Sequence, residues 1–340
     1  MNAMNTIRIS PEEMKTHFTK ILLSLDFSTK DAKMCADIFT QNSVDGVYSH
    51  GVNRFPRFVD YIKKGLIFPK NKPSLKNKMG VIEQWEGALA PGPLNAVFAT
   101  DRALDIAKES GVGCVALSNT NHWMRGGFYG WHAAKKGHIF MGWTNTTSIM
   151  PAWGAADPKL GNNPLVMAIP YHDEAIVLDM SMSQFSYGAM ELAELKNEKL
   201  PVTGGYDNEG NLTNDPGAIL KSMRTLPIGF WKGSGLSFVL DVLATIISDG
   251  LAVHQVAKKE EEISCSQVFI TIDPKKLNGS TDHNKVIDQM IKDLKSSIPI
   301  DEASYIRYPG ERAVKNRTAN AAKGIPVLLP VWNEIKSFLE

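Results

Sequence analysis

Helical signals crowd both ends of this 340-residue chain, while the stretch between them alternates between helical and strand periodicity. That distribution constrains the fold more than any single motif. Near the N-terminus, Ser10, Pro11, Glu12 and Glu13 give a cap, a first-turn proline and two first-turn acids ahead of apolar Phe18, Ile21, Leu22 and Leu25. Ser28 and Asp31 repeat the signal before Ala32, Cys35, Ile38 and Phe39. A third helix is expected over 52–64 on Phe55, Val59 and Ile62, with Pro56 tolerated in its first turn and Gly65 as its stop. Residues 68–74, polar and punctuated by Pro69 and Pro73, mark a domain boundary. Helices then follow at 94–108, 127–136, 184–196, 235–248 and 285–294, with strands at 113–118, 139–144, 165–171, 176–179 and 268–272. Residues 204–215 read as a surface loop, and 331–339 as a terminal helix. The expected architecture is α/β with an α+β-like mixture. Residues 1–75 with 315–340 form a helical domain built from both chain ends, and 76–314 an α/β domain. The segment 235–248 is apolar nearly all round and reads as the most buried helix.

Composition removes several classes. Apolar residues at 43% and charged residues at 21% describe an ordinary globular chain, not a disordered, collagen-like or coiled-coil one. With 37 basic and 36 acidic residues the net charge is +1, which lacks the basic excess that a nucleic-acid partner demands. Cys35, Cys114 and Cys265 are far apart and form no Cys-x-x-Cys pair, so they read as reduced, buried thiols and no metal site is expected. Residues 1–10 carry no secretory pattern, and the apolar run 236–247 is too short to cross a bilayer. A cytoplasmic protein with no membrane partner is expected.

Three polar clusters can carry chemistry. In 48–57, His50, Arg54 and Arg57 share a face if the segment is helical. Guanidinium groups there can hold a carboxylate while the imidazole moves a proton to or from a neighbouring carbonyl. The same spacing also describes a solvated helix face. In 119–127, Asn121, His122 and Arg125 follow a strand and precede Gly126 and Gly127, where α/β folds place ligands; a tight turn with a hydrogen-bonded histidine is the plainer alternative. Asp179, at the end of a strand, can orient a histidine or cap the next helix. Lys232, beside Gly233, Ser234 and Gly235, adds a weak phosphate-binding signal. There is no Gly-x-Gly-x-x-Gly after a strand, no Walker loop, no His-Glu-x-x-His and no Gly-x-Ser-x-Gly.

Residues 48–57 (Tyr-Ser-His-Gly-Val-Asn-Arg-Phe-Pro-Arg), 121–127 (Asn-His-Trp-Met-Arg-Gly-Gly) and 230–235 (Phe-Trp-Lys-Gly-Ser-Gly) together resemble the type-2 malate/L-lactate dehydrogenase family. Asn145 with 150–154, 179–183 and 207–213 extend the likeness within one branch, and it spans nearly the whole chain, to Pro309, Gly310 and Glu311. The resemblance implies a non-Rossmann nicotinamide-binding domain with a mixed sheet, and reduction of a small keto acid with NAD as cofactor (NADH preferred, NADPH possible). It implies a homodimer in which one subunit completes the other's site. It makes His50 the acid/base, Arg54 the carboxylate anchor, Asp179 a carboxylate in relay with the histidine, and His122 a competing histidine near the substrate. Arg57 and Asn121 join as substrate contacts. The NAD contacts it implies are Ala175, Ile176, Val177, Leu178, Asp179, Met180 and Ser181, then Trp231 with Lys232, then Gly310, Glu311 and Arg312. Malate-type members follow the second histidine with His-x-Gly; here Trp123, Met124 and Arg125 intervene. That departure favours a longer, hydroxylated substrate with Arg125 as a further contact. Reduction of another α-keto or α-imino acid, or a binding protein without turnover, stays open.

Overall fold

The computed structural model describes residues 6–277, 282–301 and 304–339, so residues 1–5, half of the stretch read for a leader, lie outside it. The chain ends meet: the strand Thr6–Ile9 pairs antiparallel with Ile325–Leu328, with Ile7 opposite Val327. Around this ribbon lie the helices Pro11–Ser24, Thr29–Val44, Phe55–Lys63 and Leu329–Ser337. Ser10 and Ser28 accept the backbone N–H groups of Glu13 and Asp31, so both helix starts are capped as their sequences dictate. Their apolar faces bury Met14, Phe18, Phe39, Phe55, Trp332 and Ile335 in one core. Phe18 stacks on Phe55 with ring centroids 3.9 Å apart, and Phe39 meets Phe55 edge-on at 5.2 Å.

The helix expected over 52–64 forms with its first turn in 3-10 form. Tyr48–His50 and Val52–Arg54 are separate 3-10 turns, and the α-helix begins only at Phe55. Gly51 lies hard against the helix Thr29–Val44, where a Cβ would sit 2.3 Å from Oγ of Ser43. The same Ser43 Oγ accepts the Val52 N–H at 2.8 Å. His50 and Arg54 therefore reach one site through a kinked entry, not along one helix face.

The remaining architecture is a mixed α/β layer around a seven-stranded sheet. Its strand order is Ser74–Met79, Ile82–Glu86, Val112–Thr120, Cys265–Ile272, Ile139–Thr144, Leu165–Tyr171 and Glu174–Met180. Only Ile82–Glu86 and Val112–Thr120 run parallel, joined by the crossover helix Gly92–Ser110. Alternation along Val112–Thr120 sends Val115 and Leu117 to the side covered by Gly92–Ser110 and Gly126–Ala134. Cys114 and Ala116 go to the other side, against Leu240 and Ala244 of the helix Trp231–Ser248. The edge strand Ser74–Met79 is exposed throughout and lysine-bearing, so it carries no apolar alternation for a reader to detect.

The helix Trp231–Ser248 departs from expectation. It is not the most buried helix: among its residues only Gly233, Ser237, Leu240, Ala244 and Ser248 are buried. Trp231 (66%), Phe238 (59%) and Ile246 (68%) stand in solvent in the single chain. An all-round apolar helix signals burial on two sides, and the chain supplies only one of them. No helix among the described residues is long and apolar enough to cross a membrane.

The Phe18–Phe55 stack gives a direct test of the helical core. Phe18→Ala removes a fully buried ring and is expected to lower the free energy of unfolding by about 3–5 kcal/mol, read from urea denaturation.

Candidate active site

A buried carboxylate sets the frame of the site. Asp45, at the end of the helix Thr29–Val44, accepts from Arg125 and from Arg317, whose Nε lies 2.8 Å from Oδ1. Arg317 also reaches Glu174 on the sheet's edge strand at 2.9 Å. Burial opposes charge on Asp45, but the hydrogen bonds and charges of Arg317 and Arg125 outweigh it, and its carboxyl lies below the usual range. Both guanidinium groups also lie over the Trp131 ring, 4.9 Å and 5.0 Å from its centroid.

On this frame stand two histidines. His50, at the end of its 3-10 turn, has Nδ1 3.0 Å from Ser49 Oγ. His122 lies beside it, with ring centroids 5.7 Å apart and planes 25° from parallel. Burial, followed by the charges of Arg54 and Arg125, pushes His50 down to about 4. Burial, then Arg54, His50 and Arg57, hold His122 well below its ordinary value. Both rings are therefore neutral at neutral pH.

Their hydrogen bonds separate their abilities. Met124 sits in the left-handed region at φ 66°, and its N–H turns back to donate to Nδ1 of His122 at 2.9 Å. Nδ1 is thus an acceptor, so the proton of neutral His122 lies on Nε2. A second proton on Nδ1 would oppose the Met124 amide. His50 faces a hydroxyl, which serves as donor or acceptor and so allows the ring to change protonation state.

Two adjoining cavities of about 420 and 340 Å³ share His50 and His122 in their walls. The first runs past Val177, Asp179, Ser181, Gly310 and Arg312. The second runs past Arg54, Arg57, Tyr61, Thr147 and Glu262. The Arg54 side chain has no hydrogen bond or ion pair among the described residues; burial and then Arg57 disfavour its charge, while Glu262, Tyr61 and Glu191 favour it. It is a free guanidinium waiting on an anion. Arg57 lies nearer solvent, 3.7 Å from Glu191.

The other residues singled out in the sequence fall into several places. Arg125 lines the first cavity, but its fork is held by Asp45 and its Nε lies 3.8 Å from Asp179. Asn121 is buried, its amide donating to the carbonyls of Leu89 and Ala90 and holding the loop in place. Asp179 accepts the Gly127 N–H at 2.8 Å; among the described residues no hydrogen bond joins it to either histidine. Burial raises its carboxyl, opposed by Arg125 and by the Gly127 amide. Along Glu174–Met180 the side chains alternate, so Val177 and Asp179 face the cavity, as does Ser181 just beyond the strand. Ala175 packs in the core, while Ile176, Leu178 and Met180 occupy the opposite register. Glu311 is taken by Lys295 and Lys315. Trp231 and Lys232 line neither cavity. Asp45, Ser49, Tyr61, Thr147, Glu261, Glu262 and Arg317 escaped the sequence reading. The acids of 258–262 look like a solvated charge run until folded.

The first cavity leaves several polar groups open to a ligand. Gly310, at φ 94°, lies where a Cβ would stand 3.1 Å from the Val177 nitrogen, so its bare backbone keeps the wall close. Arg312 has no ion pair among the described residues, and the indole N–H of buried Trp131 has no partner. These groups fit an anionic ligand with hydrogen-bond acceptors.

Comparison with known proteins then decides the family: a model described as malate/L-lactate dehydrogenase matches residues 9–336. The chain belongs to this family. It is 43% identical over 332 residues to a 2,3-diketo-L-gulonate reductase of Citrobacter koseri and 44% identical to one of Pasteurella multocida. Each alignment covers 97% of this chain and 100% of the relative. Malate dehydrogenase from Entamoeba histolytica superposes with a TM-score of 0.93 at 24% identity, covering 98% of this chain and 97% of that one. Sulfolactate dehydrogenase from Methanocaldococcus jannaschii superposes with a TM-score of 0.86 at 28% identity, covering 98% and 96%. The protein is an oxidoreductase acting on hydroxyl or keto groups, and its family implies a nicotinamide cofactor.

The tautomer assignment has a direct spectroscopic check. Nitrogen-15 correlation spectra of labelled protein are expected to show His122 as the neutral Nε2–H form at neutral pH. A Nδ1–H pattern would refute the assignment.

Proposed function

We propose that the protein reduces 2,3-diketo-L-gulonate to 3-dehydro-L-gulonate, with NADH as the preferred hydride donor, NADPH as a second one, and His50 as the proton donor. The observation that carries this reading is the meeting of two cavities at His50 and His122, with unpaired Arg54 in one and Asp179, Gly310 and Arg312 in the other. The identity to reductases of that name supports the choice of substrate.

Arg54 binds the substrate carboxylate as a charge-assisted pair, with Arg57 at the outer side. The adjacent carbonyl then points at the histidine pair. His122 donates its fixed Nε2–H to the carbonyl oxygen and polarises it without changing protonation state. The bound cofactor supplies the hydride. His50 delivers the proton that turns the oxygen into a hydroxyl. Its low proton affinity in the free protein arises in part from Arg54, so a carboxylate that neutralises Arg54 also raises the proton affinity of His50. Asp179, fixed by the Gly127 amide, acts at the cofactor side.

His50→Ala is expected to lower kcat by about 10² or more while NADH affinity, read by fluorescence titration, is unchanged. Arg54→Ala is expected mainly to raise KM for the keto acid. The pH dependence follows from the sign of the His50 shift. Reduction needs the protonated ring, and its free-state value is about 4, so kcat/KM for reduction declines as pH rises above that value. His50→Gln is expected to flatten this decline. A full slope in that variant would remove His50 from the proton-donor role.

We further propose a homodimer. The exposed apolar face of Trp231–Ser248 is what a second copy would cover. Trp231 and Lys232, absent from their own chain's cavities, would then reach the cofactor of the neighbour. Sedimentation equilibrium is expected to give a dimer, and the double variant Phe238→Asp, Ile246→Asp a monomer of weakened NADH affinity. A monomeric parent protein would overturn the proposal.

A further inference from the structure

The cavity that holds Arg54 has an acidic wall with no task in the chemistry above. We propose that Glu262 on this wall accepts a hydrogen bond from a hydroxyl on the substrate's tail and turns away a second carboxylate. The inference rests on the reading that a keto acid binds with its carboxylate on Arg54.

Four glutamates line this cavity, and they are not equivalent. Glu261 is occupied, accepting the Tyr61 hydroxyl at 2.5 Å and lying 3.4 Å from Lys64 Nζ. Glu191 faces Arg57. Glu260 is exposed at the rim beside Lys259. Glu262 is different: its side chain is largely enclosed, and Oε2 accepts the Thr147 N–H at 3.0 Å. Its other oxygen, Oε1, has no hydrogen-bond partner among the described residues and lies 3.9 Å from Nε2 of His122.

That geometry sets a donor and an acceptor side by side. The tautomer of His122 makes Nε2–H the donor. A substrate oxygen that accepts from Nε2 and a neighbouring hydroxyl that donates to Oε1 satisfy the pair together. A tail without a hydroxyl leaves Oε1 unmatched. A tail ending in a carboxylate brings like charge against Glu262, with Glu260 and Glu261 close behind. The backbone amide of Thr147 pins the carboxylate, so it cannot readily swing aside. The wall therefore selects hydroxylated monocarboxylates over dicarboxylates.

The test uses the whole enzyme with NADH and three keto acids: 2,3-diketo-L-gulonate, pyruvate and oxaloacetate. Glu262→Gln keeps an oxygen for the Thr147 contact and puts a neutral N–H donor in place of the charged free oxygen. It is expected to lower kcat/KM for the sugar acid about tenfold, raise it for oxaloacetate about tenfold, and leave pyruvate within about twofold. Parallel changes on all three substrates, or none, would overturn the proposal. Calorimetric binding to the parent protein with cofactor bound gives an independent arm, comparing L-threonate with D-malate, four-carbon acids of the same configuration at C2 that differ in the tail. Threonate is expected to bind at least about tenfold more tightly, with the difference lost in Glu262→Gln. Malate binding as tightly as threonate would refute the role of Glu262 whatever the turnover. Absence of turnover with the binding difference intact would remove the proposed activity and leave the recognition site standing.

Discussion

Asp45 holds three parts of the chain together. Its carboxylate gathers Arg125 from the loop after the central strand Val112–Thr120 and Arg317 from the helix Glu311–Lys323, and through Arg317 it reaches Glu174 at the sheet's edge. Two cations and two anions share this cluster, so each desolvated charge has an opposite neighbour, the condition under which a buried network is tolerated. Removing Asp45 would take from both guanidinium groups the buried carboxylate they share. The cluster also carries Arg125 to a position where its charge depresses the proton affinity of His50. Assembly of the chain and tuning of the histidine therefore rest on one set of contacts.

The cavities above that cluster are organised by what is left unsatisfied. Arg54 is a guanidinium without a counter-ion, and Glu262 offers an oxygen without a donor. Two neutral histidines lie between the lobes, one locked by the Met124 amide and the other next to a hydroxyl. Unmatched polar groups are costly in a folded protein, and a ligand that matches them recovers that cost as affinity.

Much of this organisation was legible in the sequence because it depends on local patterns. The caps at Ser10 and Ser28 and the strands at 139–144 and 165–171 formed where periodicity put them. The rings of His50 and His122, from two separate motifs, stand 5.7 Å apart. What was illegible depends on long-range geometry. Gly51 separates two 3-10 turns where the helix Thr29–Val44 lies against it, a fact no local pattern carries. Arg125 looked like a free contact until folding paired it with Asp45, eighty residues earlier in the chain. The acids of 258–262 had no apolar pattern to mark them as a wall. The helix Trp231–Ser248 was read correctly as helical but wrongly as deeply buried, since periodicity reports that a face is apolar and not what covers it.

The pairing of Thr6–Ile9 with Ile325–Leu328 has a consequence for how the enzyme is made. Synthesis runs from the N-terminus, so the first strand emerges some three hundred residues before Ile325–Leu328, and Asp45 eighty residues before Arg125 and 272 before Arg317. Until Arg317 leaves the ribosome, Asp45 has no second cation and the first strand has no neighbour. The α/β layer can collapse around its own sheet during translation, but the helical layer cannot close before the last thirty residues are released. Both histidines are therefore synthesised well before the strand Ile325–Leu328 that completes the ribbon of the helical layer.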